Sequence, residues 1–205
     1  MARTSNARTQ TQRSTQTRLR LVQAATASLI ESGYAYTTTV EVCQRAGLTR
    51  GAFHHHYASL GELLVSVLEH LYDQMRPPTD ADQPESPESP ESLEALLHLG
   101  AQHISRPEFK AVIEIWLAAR NDSELAVELR PAIAKLSLLF SPNRNSRLSA
   151  LLESDPSRAA FYRLMFEALI GLALGRATST DDRPVEHEKQ VIDLLASQAR
   201  EYDRR

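Results

Sequence analysis

At 205 residues, with 42% hydrophobic and 24% charged side chains, the chain is long enough for one large or two small domains. Nothing approaches the ~18 consecutive apolar residues of a membrane span, and no apolar leader opens the chain, so a cytoplasmic protein without membrane contact is expected. A single cysteine excludes an intrachain disulfide and a thiolate metal cluster. The net charge of −3 hides an asymmetry, because up to Ala58 seven Arg face two Glu, about +5, and everything after carries about −8.

Residues 1–16 are Arg, Thr, Gln, Ser and Asn with almost nothing apolar, which predicts a disordered basic arm. The arm is either a solvated tail or one whose Arg3, Arg8 and Arg13 reach phosphates or a minor groove. From about Thr17 the pattern turns helical: Leu21, Ala25 and Leu29 line one side, Val22 and Ile30 flank it, and Gly33 is a natural stop. Tyr34 is expected to pack on the small core that follows.

The stretch Thr38–Tyr57, TTVEVCQRAGLTRGAFHHHY, reads as two short helices with a tight turn. Thr38 and Glu41 form a capping box that opens the first helix, in which Val42 and Ala46 are apolar at helical spacing. Cys43 is small where a second helix must approach, and Gly47 supplies a turn residue without the Cβ penalty at positive φ. Thr49 can cap the second helix, and Phe53 and Tyr57, one turn apart, give it a buried side. Arg50 and His54 share one face and Gly51 and His55 the neighbouring one, all away from Phe53. An apolar back with a front of Arg, Gly and His suits a helix that enters a major groove.

Ser59 with Glu62 opens a long helix over 59–76, striped by Leu60, Leu64, Val67, Leu71 and Met75, with Leu63 and Leu68 beside it. Residues 77–92, PPTDADQPESPESPES, have five prolines and no apolar anchor, which predicts a flexible acidic linker. Residues 93–205 read as helices throughout. Leu93, Leu96, Leu97 and Ile104 mark one, stopped by Pro107; Phe109, Val112, Ile113, Trp116 and Leu117 mark the next. A third starts near Asn121, Asp122 or Ser123 and holds Pro131, which should kink or split it. Pro142 ends it, and a short helix around Leu148 to Leu152 follows. Asp155-Pro156 opens another that runs to about Gly175, and a last one begins near Pro184. Gly171 and Gly175, one turn apart, let helices approach closely, either within one subunit or between two.

No enzymatic constellation emerges. His54, His55 and His56 are consecutive, and helical neighbours point about 100° apart, so they cannot converge on one metal ion. His98 and His103, five apart, lack a carboxylate or thiolate to complete a ligand set. Neither a Gly-rich phosphate loop nor a Gly-x-Ser-x-Gly elbow is present, and no cofactor is expected.

The run Arg20–Leu64 resembles the DNA-binding domain of the TetR/AcrR family of bacterial transcriptional regulators. The resemblance rests on Leu21, Ala24, Ala25 and Leu29, then Gly33-Tyr34, then Thr38, Val42-Cys43, Ala46-Gly47-Leu48-Thr49-Arg50-Gly51-Ala52-Phe53-His54-His55-His56-Tyr57, and then Ser59 and Leu63-Leu64. It implies an all-α fold, with a three-helix helix-turn-helix head over 17–58 joined by the 59–76 helix to an effector-binding and dimerisation body. Two departures stand out. Leu60 occupies a position where such regulators often carry a phosphate-contacting Lys, and His54 one where Tyr commonly reaches the backbone.

The resemblance also implies a homodimer bound to a pseudo-palindromic double-stranded operator and released by a small-molecule effector, expected to be largely apolar. Arg50 would read a base, Gly51 would permit close approach, and Thr38, Thr39, Thr49, His54 and His55 would hold phosphates. The last two helices would form the dimer surface through Leu164, Ala168, Gly171, Gly175, Ile192 and Leu195. Trp116, Phe109, Phe161, Met165 and Phe166 could line an effector cavity, with His98, His103 and Glu114 as its polar groups. The rivals are a dimeric DNA-binding protein without an effector and, least favoured, a helical enzyme or metal protein.

Overall fold

The computed structural model describes residues 3–75, 92–140, 146–178 and 186–204. The predicted linker, except for Ser92, lies outside the described residues, as do Pro142 and Pro184. Every regular element among the described residues is helical: α1 (Arg3–Ser32), a 3-10 turn (Tyr34–Tyr36), α2 (Thr39–Ala46), α3 (Arg50–His56), α4 (Leu60–Met75), α5 (Leu93–Ile104), α6 (Pro107–Asn121), α7 (Ser123–Ser137), a second 3-10 turn (Leu138–Phe140), α8 (Ser146–Ser154), α9 (Pro156–Thr178) and α10 (Glu186–Asp203).

One expectation fails. Helix α1 begins at Arg3, so residues 3–16 are helical rather than a disordered arm. Low apolar content denies this stretch a core of its own, but extending a helix already packed further on needs no new nucleus. The Thr15 and Thr17 hydroxyls donate to the carbonyls of Thr11 and Arg13 (3.1 and 2.9 Å), one turn back in the same helix. Of the two outcomes expected at Pro131, a kink or a split, the split does not occur, since α7 runs through it from Ser123 to Ser137. The carbonyl that loses its partner to a proline is that of Val127, which is exposed, so water can take the bond.

The chain forms two compact units. The first comprises residues Met1–Leu71 and Glu114–Ile133, the second Tyr72–Ile113 and Ala134–Arg205. In the first, α1 packs on α2 and α2 on α3. Leu21, Ala25, Leu29, Val42, Phe53, Leu63, Leu64 and Val67 are fully buried, and each large side chain contributes about 1.5–3 kcal/mol relative to exposure. Gly33 ends α1 at φ 79°, and the buried hydroxyls of Ser28 and Thr37 pair at 3.0 Å to tie α1 to the 3-10 turn. Tyr34 itself is only half-buried. Asp122 settles where α7 starts, its Oδ1 accepting from the Glu124 and Leu125 amides at 3.0 Å each.

In the second unit α5 packs on α9 and α10, and α8 on α9. The inward stripe of α9 is Arg158, Phe161, Met165, Leu169 and Ala173. Asp155 caps α9 as its position before Pro156 predicts, with Oδ1 accepting from the Ser157 amide at 2.8 Å and the Ser157 hydroxyl at 2.7 Å. These bonds hold its carboxyl below the usual range. The start of α5 is capped twice. Ser92 accepts from the Ala95 amide at 3.1 Å, and Asp203, at the far end of the chain, accepts from the Leu93 and Glu94 amides at 2.9 and 3.2 Å.

Candidate nucleic-acid interface

The helix-turn-helix is built from local bonds. Thr38, extended at φ −108° and ψ 161°, caps α2 by accepting from the Glu41 amide at 3.2 Å. Only this half of the predicted box forms. The Thr38 amide donates to the Tyr36 carbonyl instead, and the Glu41 carboxylate pairs with Arg45, which also reaches Glu31 at 2.7 Å. Gly47 ends α2 in the left-handed region at φ 62°. There its amide donates to the Gln44 carbonyl (3.1 Å) and that of Leu48 to the Cys43 carbonyl (2.9 Å), the two bonds of a Schellman stop.

Arg20 of α1 closes the same end by donating to the Ala46 carbonyl, and its guanidinium would lie 3.2 Å from any Cβ at position 47. The Cys43 thiol reaches the Thr49 carbonyl at 3.8 Å, and burial raises its pKa, so it serves as a small packed donor. Thr49 then caps α3, accepting from the Ala52 amide at 3.1 Å.

The result is a seven-residue helix whose two sides differ completely. Phe53 and the following Tyr57 are buried, their ring centroids 5.8 Å apart, while Arg50, Gly51, His54 and His55 are exposed together with Thr49. Thr38 is exposed and Thr39 half-buried at the start of α2. Gly51 is helical, without positive φ, and a Cβ there would meet only the Thr49 hydroxyl at 3.8 Å. Folding does not require glycine at this position. The Leu60 side chain is half-buried at the start of α4 and brings no charge to the surface.

No motif singles out Arg18, yet its guanidinium stacks over the Tyr57 ring at 4.9 Å and donates to the Ser66 hydroxyl at 3.4 Å. Burial, with the charges of His55 and Arg18, pushes the His56 imidazole below its ordinary 6.5. Among the described residues no group of three or more side chains is arranged to hold a metal ion, and no helix is long and apolar enough to cross a membrane.

The remaining candidates fall in different places. Phe109, Met165 and Phe161 are buried in the second unit, Phe161 stacked on Tyr202 with centroids 5.0 Å apart. His98 is exposed beside Glu94, which also takes Arg200 at 2.5 Å, whereas Phe109, Phe161 and Met165 are buried. Trp116 is half-buried and belongs to the first unit. Glu114, a candidate polar group of the cavity, also belongs to the first unit, where its carboxylate accepts the Tyr34 amide at 2.9 Å.

On α9, Leu164 is 57% exposed, Gly171 and Gly175 are open with nothing within 4 Å of a Cβ, and Ala168 is half-buried. The pair of glycines therefore makes no close contact among the described residues of one chain. On α10, Ile192 is half-buried, but Leu195 is 7% exposed and belongs to the chain's own core. Its neighbour Leu194, 65% exposed, faces out in its place: both are leucines, and periodicity without a known partner does not decide between adjacent positions.

With this geometry in view, similarity to known proteins is informative. Residues 21–67 match the family described as "Bacterial regulatory proteins, tetR family". A Mycobacterium bovis protein described as an uncharacterised HTH-type transcriptional regulator is 30% identical over 195 residues, which is 93% of this chain and 96% of that one. Among solved structures, a transcriptional regulator from Rhodococcus sp. RHA1 superposes with a TM-score of 0.64 at 21% identity, covering 90% of this chain and 96% of the other. The multidrug binding protein EbrR, solved with imidazole, gives 0.54 at 21% identity over 87% and 93% of the two chains. The chain belongs to the TetR family. It is a DNA-binding transcriptional regulator with a helix-turn-helix, a class defined by binding and not by catalysis.

Proposed function

We propose that the protein is a homodimeric repressor that holds a pseudo-palindromic operator through two copies of α3 and leaves it when a small, largely apolar effector binds the second unit. The observation that carries the DNA half is the exposed front of α3. Arg50 and Gly51 stand free over a buried Phe53, and a glycine that folding does not require is best explained by an outside surface that comes close. Arg50 grips a guanine edge through its two-pronged guanidinium, and Thr38, Thr39, Thr49, His54 and His55 set register on phosphates. Dimerisation is supported by apolar side chains left uncovered on the last two helices, Leu164 and Leu174 with the open Gly171 and Gly175 on α9 and Leu194 on α10, which a second copy would cover. Effector binding is supported by the description of EbrR as a multidrug binding protein, with Phe109, Phe161 and Met165 the apolar residues nearest to hand in the second unit.

Fluorescence anisotropy on DNA upstream of the protein's own gene, across a salt series, tests the reading. Wild type is expected to bind selectively with a steep salt slope, and Arg50→Ala to lose about 1–3 kcal/mol and relax specificity at one base. Equal loss on every sequence would contradict base reading. Sedimentation of Leu164→Glu, expected to yield monomer, tests the dimer, and a thermal-shift screen with apolar compounds tests the effector.

A further inference from the structure

Two carboxylates outside the three-helix head hold the chain on either side of the helix-turn-helix. Glu114 of α6 accepts the Tyr34 amide at 2.9 Å, just ahead of the α2 cap. Glu128 of α7 accepts the Ser59 hydroxyl at 3.1 Å, just after α3, and that hydroxyl in turn accepts the Glu62 amide at 2.9 Å to cap α4. Each carboxylate sits in a notch left by a glycine. A Cβ on Gly33 would lie 3.0 Å from Glu114 Oε2, and one on Gly61 would lie 2.1 Å from Glu128 Oε2. Among the described residues neither carboxylate forms an ion pair, so both are committed to the head's own polar groups. All four residues, and the reading segment between them, belong to the first compact unit.

We propose that Glu114 and Glu128 are positioning residues for DNA reading: they fix where the chain enters and leaves the helix-turn-helix, and so aim α3. A three-helix head this small has few side chains with which to set its own direction. Two charge-assisted bonds, one at each end of the reading segment, supply it. The proposal rests on the regulator reading above, and the first unit rather than the three helices alone becomes the part that reads DNA.

The test uses the full-length chain and a duplex selected from random DNA by the wild type, with the half-site spacer also lengthened and shortened by one base pair. Glu128→Ala, Glu114→Ala and Gly61→Ala are each expected to bind about three- to tenfold more weakly and to lose most of the preference for the native spacer, the size of effect one net hydrogen bond gives. Glu128→Gln, whose amide oxygen can still accept from Ser59, should restore most of both.

Gly61→Ala separates aiming from folding. It expels only the end of a flexible side chain while giving α4 a better helix former, so its melting temperature should not fall. Wild-type affinity and spacer preference in all three variants would overturn the proposal. So would a uniform loss on all DNA that simply tracks a lowered melting temperature. If the wild type selects no sequence, the regulator reading fails, and amide exchange decides the positioning. Exchange at Tyr34 should quicken about tenfold in Glu114→Ala, in line with one lost hydrogen bond. Unchanged exchange there would sink the idea.

Discussion

The helix-turn-helix and the second unit are held together over very different lengths of chain. In the former, Thr38 caps to Glu41, Thr49 caps to Ala52, and Gly47 and Leu48 bond back to Gln44 and Cys43, all within five residues. In the latter the ties are long. Asp203 caps α5 at Leu93 and Glu94, Arg200 pairs with Glu94, and Phe161 stacks on Tyr202. A reading element that must keep one shape against DNA gains from bonds that form wherever its own residues meet. For the second unit it is enough that its helices pack, and ties between distant residues permit that.

Breaking the ion pair at the buried Glu188 of the second unit should cost the most. Arg176→Ala leaves the Glu188 carboxylate, 3% exposed, without the guanidinium that grips both its oxygens, and should destabilise the fold by about 3–5 kcal/mol in urea unfolding. Removing both partners, as Arg176→Met with Glu188→Leu, should recover most of that loss. Next comes the turn. Gly47→Ala places a side chain at φ 62° against Arg20, and a cost of about 1–2 kcal/mol should accompany weakened DNA binding. If stability falls by that amount while DNA binding is untouched, the turn is not what holds α3 in its reading position.

Asp203→Ala frees two amides at the start of α5 while Ser92 still caps the next, so about 1 kcal/mol is expected, with no change at the head. The smallest effect is a pH dependence of the first unit. Because the folded state holds His56 below 6.5, the unfolded chain takes up the proton first as pH falls. The stability is whole above about pH 6.5 and declines as pH drops from there through the lowered folded value. Melting at pH 7.5 and 5.5 should show the decline, and His56→Gln should flatten it.

The same contrast in length explains what could be read from the residues alone. Thr38, Gly47, Thr49 and the Phe53–Tyr57 pair announce themselves because cap, turn and buried side are written within a few positions of one another. The α9 cap at Asp155-Pro156 was legible for that reason too. The partner of Glu114 is not legible, because nothing near it in sequence points to the Tyr34 amide 80 residues away. Leu195, expected on the dimer surface, is 7% exposed, and its apolar spacing alone does not tell an inward leucine from an outward one. The disordered arm was a misreading of another kind, taking the lack of a core as the lack of a helix.

The ties at Asp203 also order events on the ribosome. The first unit has all its residues once Ile133 has emerged, but the start of α5, made much earlier, waits for Asp203. At about 5–20 residues per second that interval is roughly 4–14 s. The reading head and its two glutamates can thus be in place while the second unit still lacks its closing turn, and a nascent chain in that state holds α5 open to whatever else is within reach.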